Sequence, residues 1–131
     1  MYIGILILSV IAYMILGFLW YAPFAFGKRW MKLTGKGMDT MDKEKMTMVF
    51  GLSALGALIQ VIILSYLMVQ FNVKNLNQAI ILSTMLGVGF SFPAILTNNL
   101  YQQKKIELTF IDAGYQIAGI VLMGAILFFF L

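Results

Sequence analysis

The sequence predicts an all-α, polytopic membrane protein: four transmembrane helices, with a short interfacial helix after the first, forming one domain over residues 1–131. Three observations lead there. Hydrophobic residues make up 62% of the chain and charged residues only 11%, against the roughly 25% charged of an ordinary soluble domain. The apolar residues fall in four long runs, each near the roughly 20 residues that a helix needs to cross the hydrocarbon core. The basic residues gather in the short stretches between those runs. That distribution sets orientation in a membrane, and it accounts for the net charge of +4 without a nucleic-acid partner.

The first span is predicted over residues 2–22, which carry no charge. About 21 residues rising 1.5 Å each cover roughly 30 Å, the thickness of the hydrocarbon core. The amino terminus lacks a basic segment, and the run is too long for a signal-peptide core. A retained span is therefore expected rather than a cleaved one. Trp20 and Tyr21 stand at its end, where amphipathic rings favour the headgroup level. Pro23, which has no N–H for the helical ladder, stops it.

Residues 24–34 read as an interfacial segment. Phe26, Trp30 and Leu33 recur at i, i+4 and i+7 on one side, while Lys28 and Lys32 face the other. Together with Arg29 they suit a short helix lying in the headgroup plane in contact with lipid. Gly35 and Gly37 break it. Asp39, Thr40 and Asp42 then offer a capping side chain and acidic charge to the start of the next helix.

The second span is expected over residues 46–71, its start reaching out of the bilayer into the Asp42–Lys45 turn. A tight connection holding only Lys74 leads to the third, residues 76–97. Pro93 in its last turns should kink it by freeing the carbonyl of Gly89. Residues 98–107 form the third loop, with Lys104 and Lys105, and the fourth span covers residues 108–131.

Orientation follows from counting. The first and third loops lie on one side and carry eight of the nine basic residues; the second carries one. The positive-inside rule puts loops 23–45 and 98–107 in the cytoplasm and both termini outside. The bias also argues against a chain that inserts both ways.

Lipid tails are as apolar as leucine, so small residues and hydrogen bonds must hold the spans together. Ser83, Gly87 and Ser91 recur at intervals of four in the third span. Ser53 and Ala57 do so in the second, and Gly114 and Ala118 in the fourth, with Gly119 and Gly124 slightly off that line. These read as helix contacts within one bundle or between protomers; a glycine-lined path is the functional alternative. Tyr13, Gly17 and Trp20 share a face of the first span, which reads as packing with an interfacial anchor.

Asp112 is the acid nearest membrane depth, and Tyr115, Gln116 and Gly119 extend a polar stripe from it at i+3, i+4 and i+7. One reading makes it a buried carboxylate able to hold a proton, a cation or a substrate amine. The other puts it at headgroup level, near the positive end of its helix, paired with Lys104, Lys105 or the basic first loop. Gln60, near the centre of the second span, suits a hydrogen bond to a neighbouring helix or a ligand contact. Asn98 and Asn99 close the third span, where carboxamides can satisfy the last carbonyls or coordinate a ligand.

Cysteine and histidine are absent, which excludes disulfides, thiolate or imidazole metal sites, and Cys or His catalysis. No metal-ligand motif and no cofactor signature stands out. A lipid-modifying enzyme would draw on Asp39, Asp42, Glu44, Glu107 and Asp112, but no pair has diagnostic spacing, and no enzyme is expected.

Three stretches together resemble a known family. They are the run from Gly17 through Trp20-Tyr21-Ala22-Pro23 and Phe26-Gly27-Lys28-Arg29 to Trp30, then Asn99-Leu100-Tyr101, then Asp112-Ala113-Gly114-Tyr115 with Met123-Gly124-Ala125-Ile126-Leu127. This looks like the domain of unknown function 1761 family of small bacterial membrane proteins. Its Gly-x-x-Trp-Tyr-x-Pro…Phe-Gly-x-x-Trp signature corresponds to Trp20, Tyr21, Pro23, Phe26, Gly27 and Trp30 here. The resemblance covers nearly the whole chain and implies four helices in a bacterial inner membrane, but no activity.

Two functions from different classes are compatible with this reading, and the polar stripe of the fourth span, which bare packing does not require, puts the first ahead. One is a small transporter or channel-like protein, motivated by the small-residue stripes, Pro93 and the Asp112 stripe. One four-helix protomer encloses little space, so a homo-oligomer is expected. The other is a non-catalytic binding, sensing or scaffolding subunit whose partner is a membrane protein or a lipid. The scarcity of polar groups and the aromatic, basic first loop motivate that one. Membrane lipids are partners in both, since each basic residue near the surface attracts anionic headgroups by about 1 kcal/mol.

Overall fold

The computed structural model describes residues 2–37 and 41–130. Among them there is no strand. Helix α1 is Tyr2–Trp20, α2 Gly27–Thr34, α3 Lys43–Gln70, α4 Leu76–Leu86, α5 Phe92–Tyr101 and α6 Ile106–Phe130. A π turn over Gly87–Ser91 joins α4 to α5, making one continuous helix of 26 residues, Leu76–Tyr101. With α1, α3 and α6, of 19, 28 and 25 residues, that makes four helices long and apolar enough to cross a membrane.

The ends of these helices explain the shifts from the expected boundaries. α1 stops at Trp20, and residues 21–26 fold into a tight elbow in which the Phe26 N–H returns to the Trp20 carbonyl and the Gly27 N–H to that of Ala22. A Cβ on Gly27 would stand 2.7 Å from the Ala22 carbonyl carbon, so the elbow closes only on a glycine. The interfacial helix therefore begins at Gly27, later than the expected segment. Gly35 ends it in the left-handed conformation, φ 69°. Asp42 caps α3 by accepting from the Lys45 N–H at 2.7 Å, as its position suggested; Asp39 and Thr40 lie outside the described residues.

Asn75 caps α4 through the Gln78 N–H at 2.9 Å. The third span runs on to Tyr101, which puts Asn98 and Asn99 in its last turn rather than in the loop after it. Asn72 and Gln103 take positive φ, 54° and 59°, just beyond α3 and α5. At both ends the next N–H reaches back five residues, Val73 to Met68 and Lys104 to Asn99, satisfying carbonyls that would otherwise be orphaned. The disturbance expected from Pro93 takes the form of the π turn: the Phe92 N–H bonds the Gly87 carbonyl, one residue further back than in an α-helix.

α6 is the axis of the bundle. It packs against α1, α3, α4, the π turn and α5, and 39% of its most apolar stretch is buried, against 17% in each of the other three spans. The core gathers Val61 and Leu64 of α3 with Ile120, Met123 and Leu127 of α6. Of the predicted small-residue contacts, Ser83 and Gly87 are buried against α6: Gly124 faces Ser83, and Gly87 faces Ile117 and Ile120. Ser91 is half-buried in the π turn, and Ala118 is half-buried on α6. Ser53 points outwards, although Ala57 one turn later is buried.

Gly114 makes its helix contact with a side chain rather than with another backbone. Its neighbour is the ring of Trp20, whose Cζ2 stands 2.9 Å from where a Cβ would be, and Gly119 receives the Tyr13 ring at 2.6 Å in the same sense. Across the same interface Gly17 receives the Tyr115 hydroxyl at 2.7 Å. Rings seated on glycines therefore lock α1 to α6.

Candidate functional site

One set of polar side chains hydrogen-bonds across this α1–α6 seam. A helix repeats every 3.6 residues, so Tyr13, Gly17 and Trp20 line one side of α1 while Ile111, Asp112, Tyr115 and Gln116 line the facing side of α6. Tyr13 donates its hydroxyl to Gln116 Oε1 at 2.8 Å, and Tyr115 donates to the Tyr13 carbonyl at 2.9 Å. The Trp20 indole N–H donates to the Ile111 carbonyl at 3.0 Å. Tyr21, just past the helix end, donates to Asp112 Oδ1 at 2.6 Å.

The rings that carry these donors also touch one another. Tyr13 and Tyr115 are 4.9 Å apart between centroids, Tyr21 and Tyr115 5.5 Å, and Tyr21 and Trp30 5.8 Å. The Trp30 indole is within reach of Asp112, and Lys104 within electrostatic range. Trp20 and Tyr21 thus correct the expectation of headgroup-facing anchors: both are half-buried and turned inward on α6. The reason is chemical. A carbonyl and a carboxylate on α6 offer these two rings acceptors at 3.0 and 2.6 Å.

Asp112 matches neither of its sequence readings in full. It is half-buried, and its hydrogen-bond partner is a phenol rather than a lysine of either basic loop. Asn99 is buried and donates from Nδ2 to Thr109 Oγ1 at 3.1 Å, tying α5 to the start of α6. Thr109 was not singled out by sequence; its position ten residues after Asn99, across a short loop, was the available signal. Asn98 is exposed. Gln60 is half-buried and its carboxamide has no hydrogen-bond partner among the described residues, so the expected bond to a neighbouring helix is not made within one chain.

Outside the seam, Arg29 grips Glu107: Nε stands 2.8 Å from both carboxylate oxygens and Nη2 2.6 Å from Oε2. The pair fastens α2 to the first turn of α6. Hydrogen bonding to Glu107 raises the Arg29 guanidinium above its already high ordinary value, so it remains charged at any working pH. Lys28 and Lys32 are exposed beside it. Phe24 and Phe26 are exposed as well, Phe26 with its ring 4.9 Å from Trp20, so the elbow offers apolar surface and positive charge together.

At the other end of the bundle an open groove of about 340 Å³ is lined by Met68, Val69, Asn72, Val73, Leu127 and Phe128. It shares no residue with the seam. Among the described residues no cluster of three or more carboxylates could hold a metal ion.

A family model described as "Protein of unknown function (DUF1761)" matches residues 5–128. No curated protein and no solved structure matches the chain.

Proposed function

The chain belongs to the DUF1761 family, whose description carries no activity, and from that premise we propose that it is a non-catalytic integral membrane component with a lipid or membrane-protein partner. The observation that carries this reading is the pairing along the α1–α6 seam. The stripe of Asp112, Tyr115 and Gln116 is what a transport path would use, and each of its side chains is engaged by α1 or its elbow. A stripe consumed in this way fastens helices and leaves little for a passing solute to bind. The elbow and α2 are the parts that present chemistry outwards.

In this reading the protein lies in the inner membrane of a bacterium. Loops 23–45 and 98–107, with their excess of basic residues, face the cytoplasm, and both termini lie outside. Protein reconstituted in liposomes passes no ion or solute above empty vesicles across a broad panel. Crosslinking in cells followed by purification recovers a reproducible membrane-protein partner or retained lipid. Specific flux, or purification with neither partner nor lipid, overturns the reading.

Gln60 favours a second reading. A carboxamide without a partner in hydrocarbon is costly, and a second copy could satisfy it with its own Gln60. Ser53 is exposed and Gly56 has open space beside it on the same side of α3. A homo-oligomer built on this face would place any path between protomers, the arrangement a small transporter needs. Q60L that leaves the native mass in detergent unchanged sinks the oligomer; a purely monomeric wild type does the same.

A further inference from the structure

The two basic loops, far apart in sequence, meet at one place. Arg29 of α2 and Glu107 of α6 hold them together at 2.6 Å, and Lys32 and Lys105 both lie within electrostatic range of that carboxylate. Lys28, Lys32, Lys104 and Lys105 are exposed, and among the described residues none has a carboxylate at ion-pair distance. The nearby acids are already engaged, Glu107 by Arg29 and Asp112 by Tyr21. Lys32 and Lys105 therefore flank the Arg29–Glu107 pair, and Lys104 lies in range of Asp112.

This differs from a loosely basic loop in being built. α2 is tied at its start by the Phe26 N–H bond to Trp20 of α1 and the Gly27 N–H bond to Ala22 of the elbow, and ended by left-handed Gly35. Arg29 holds its first turn to α6. The backbone that carries these cations is fixed before binding, which leaves only the exposed lysine side chains to be ordered. Phe24, 81% exposed, and Met31, 37% exposed, put apolar surface on the same segment, and Tyr101, 86% exposed, adds a ring at the end of α5. A ligand that fits must carry negative charge at headgroup level and acyl chains beside it.

We infer that the junction of α2 with the loop between α5 and α6 seats the headgroup of an anionic diacyl phospholipid, with its phosphate held by Lys32 and Lys105 beside the Arg29–Glu107 pair. The charge complementarity selects an anionic over a zwitterionic lipid. The exposed apolar side chains select a lipid over a soluble anion. The inference deepens the lipid arm of the proposed function, and the two are tested apart: lipid retention reads the seat, and flux in liposomes reads the function.

The test uses the full chain, delipidated in detergent and offered phosphatidylglycerol or phosphatidylcholine in equal amounts, with bound lipid counted by native mass spectrometry. The wild type retains phosphatidylglycerol over phosphatidylcholine, and K32Q/K105Q lowers that preference by about tenfold or more. The control K43Q/K45Q removes the same charge from the start of α3 and changes it by less than about twofold. All four lysines are exposed, and circular dichroism checks that each variant folds. Quenching of tryptophan fluorescence by brominated phosphatidylglycerol, lost in K32Q/K105Q alone, supports the same seat. Equal retention of the two lipids, equal losses in the two double variants, or full displacement by equimolar inorganic phosphate overturns the inference.

Discussion

Tyr21 donates its hydroxyl to Asp112 across 2.6 Å, joining the exit of the first helix to the early turns of the last. A half-buried aspartate needs a donor, and the chain supplies one from a residue 91 positions away in sequence rather than from a lysine of the neighbouring loops. A hydrogen bond to a charged acceptor contributes about 1.5–3 kcal/mol. Y21F should therefore lower stability in detergent by roughly that amount, read as the midpoint of chemical or thermal unfolding. In a double-mutant cycle, Y21F/D112N should be clearly less destabilised than the two single changes summed. Additive losses would mean that the two groups do not depend on each other.

The ring seats predict a position-dependent glycine series. G119A pushes a methyl group into the Tyr13 ring, which is held by Gln116 and Tyr115 and cannot swing away. Overpacking of that kind costs about 1–3 kcal/mol. Gly51 has nothing within 4 Å of where its Cβ would be, so G51A should leave the unfolding midpoint unchanged or slightly raised. Equal effects at the two sites would remove the seam from the account.

Asn99 and Thr109 form a buried polar pair between α5 and α6. T109V leaves the Asn99 amide without its acceptor, a loss of about 1–3 kcal/mol. Replacing both, as N99L/T109V, should recover most of it, because two apolar groups leave nothing unsatisfied. The unfolding midpoints of the three variants decide this.

The Arg29–Glu107 pair is solvent-exposed on both sides, with side chains 50% and 45% accessible. Its role is positional, and global stability should barely respond to E107Q. Hydrogen exchange along α2 should instead speed up in E107Q, and in the wild type it should speed up with added salt, which screens the pair. Exchange in α2 that ignores both changes would detach it from α6.

Orientation is open to a direct measurement, because the chain has no cysteine. Single cysteines placed at Lys36 and Lys74 should be labelled by a membrane-impermeant thiol reagent from opposite faces. Position 36 should react only once the cytoplasmic side is opened. Labelling of both positions from one face would contradict the positive-inside assignment.

Much of this architecture was legible from residue order. The uncharged run before Pro23, the caps at Asp42, and the shared face of Tyr13, Gly17 and Trp20 all correspond to structure. Boundaries were less legible where a local bond extends or trims a helix. The third span continues to Tyr101 because Gln103 accepts a left-handed turn that closes its end, and the first stops at Trp20 because the elbow claims the carbonyl there. For Trp20 and Tyr21 the unreadable part is the partner on α6, since the helix end that carries them does not encode it. An aromatic at a helix end suits the headgroups equally well whether its partner is water or a carbonyl on another helix.

Order of residues alone determined the four spans, since hydrocarbon leaves a backbone no partner but its own helix, and a run of about 20 apolar residues has no other way to cross. Only the folded bundle decided which side of each helix meets which neighbour. In water, polarity marks a helix's inner and outer faces; in lipid both faces are apolar, and that mark is erased. The choice then falls to shape and to a few hydrogen bonds, a ring against a glycine or a phenol against a carboxylate. Those pairs are set by where helices stand in space, which periodicity along one helix does not encode.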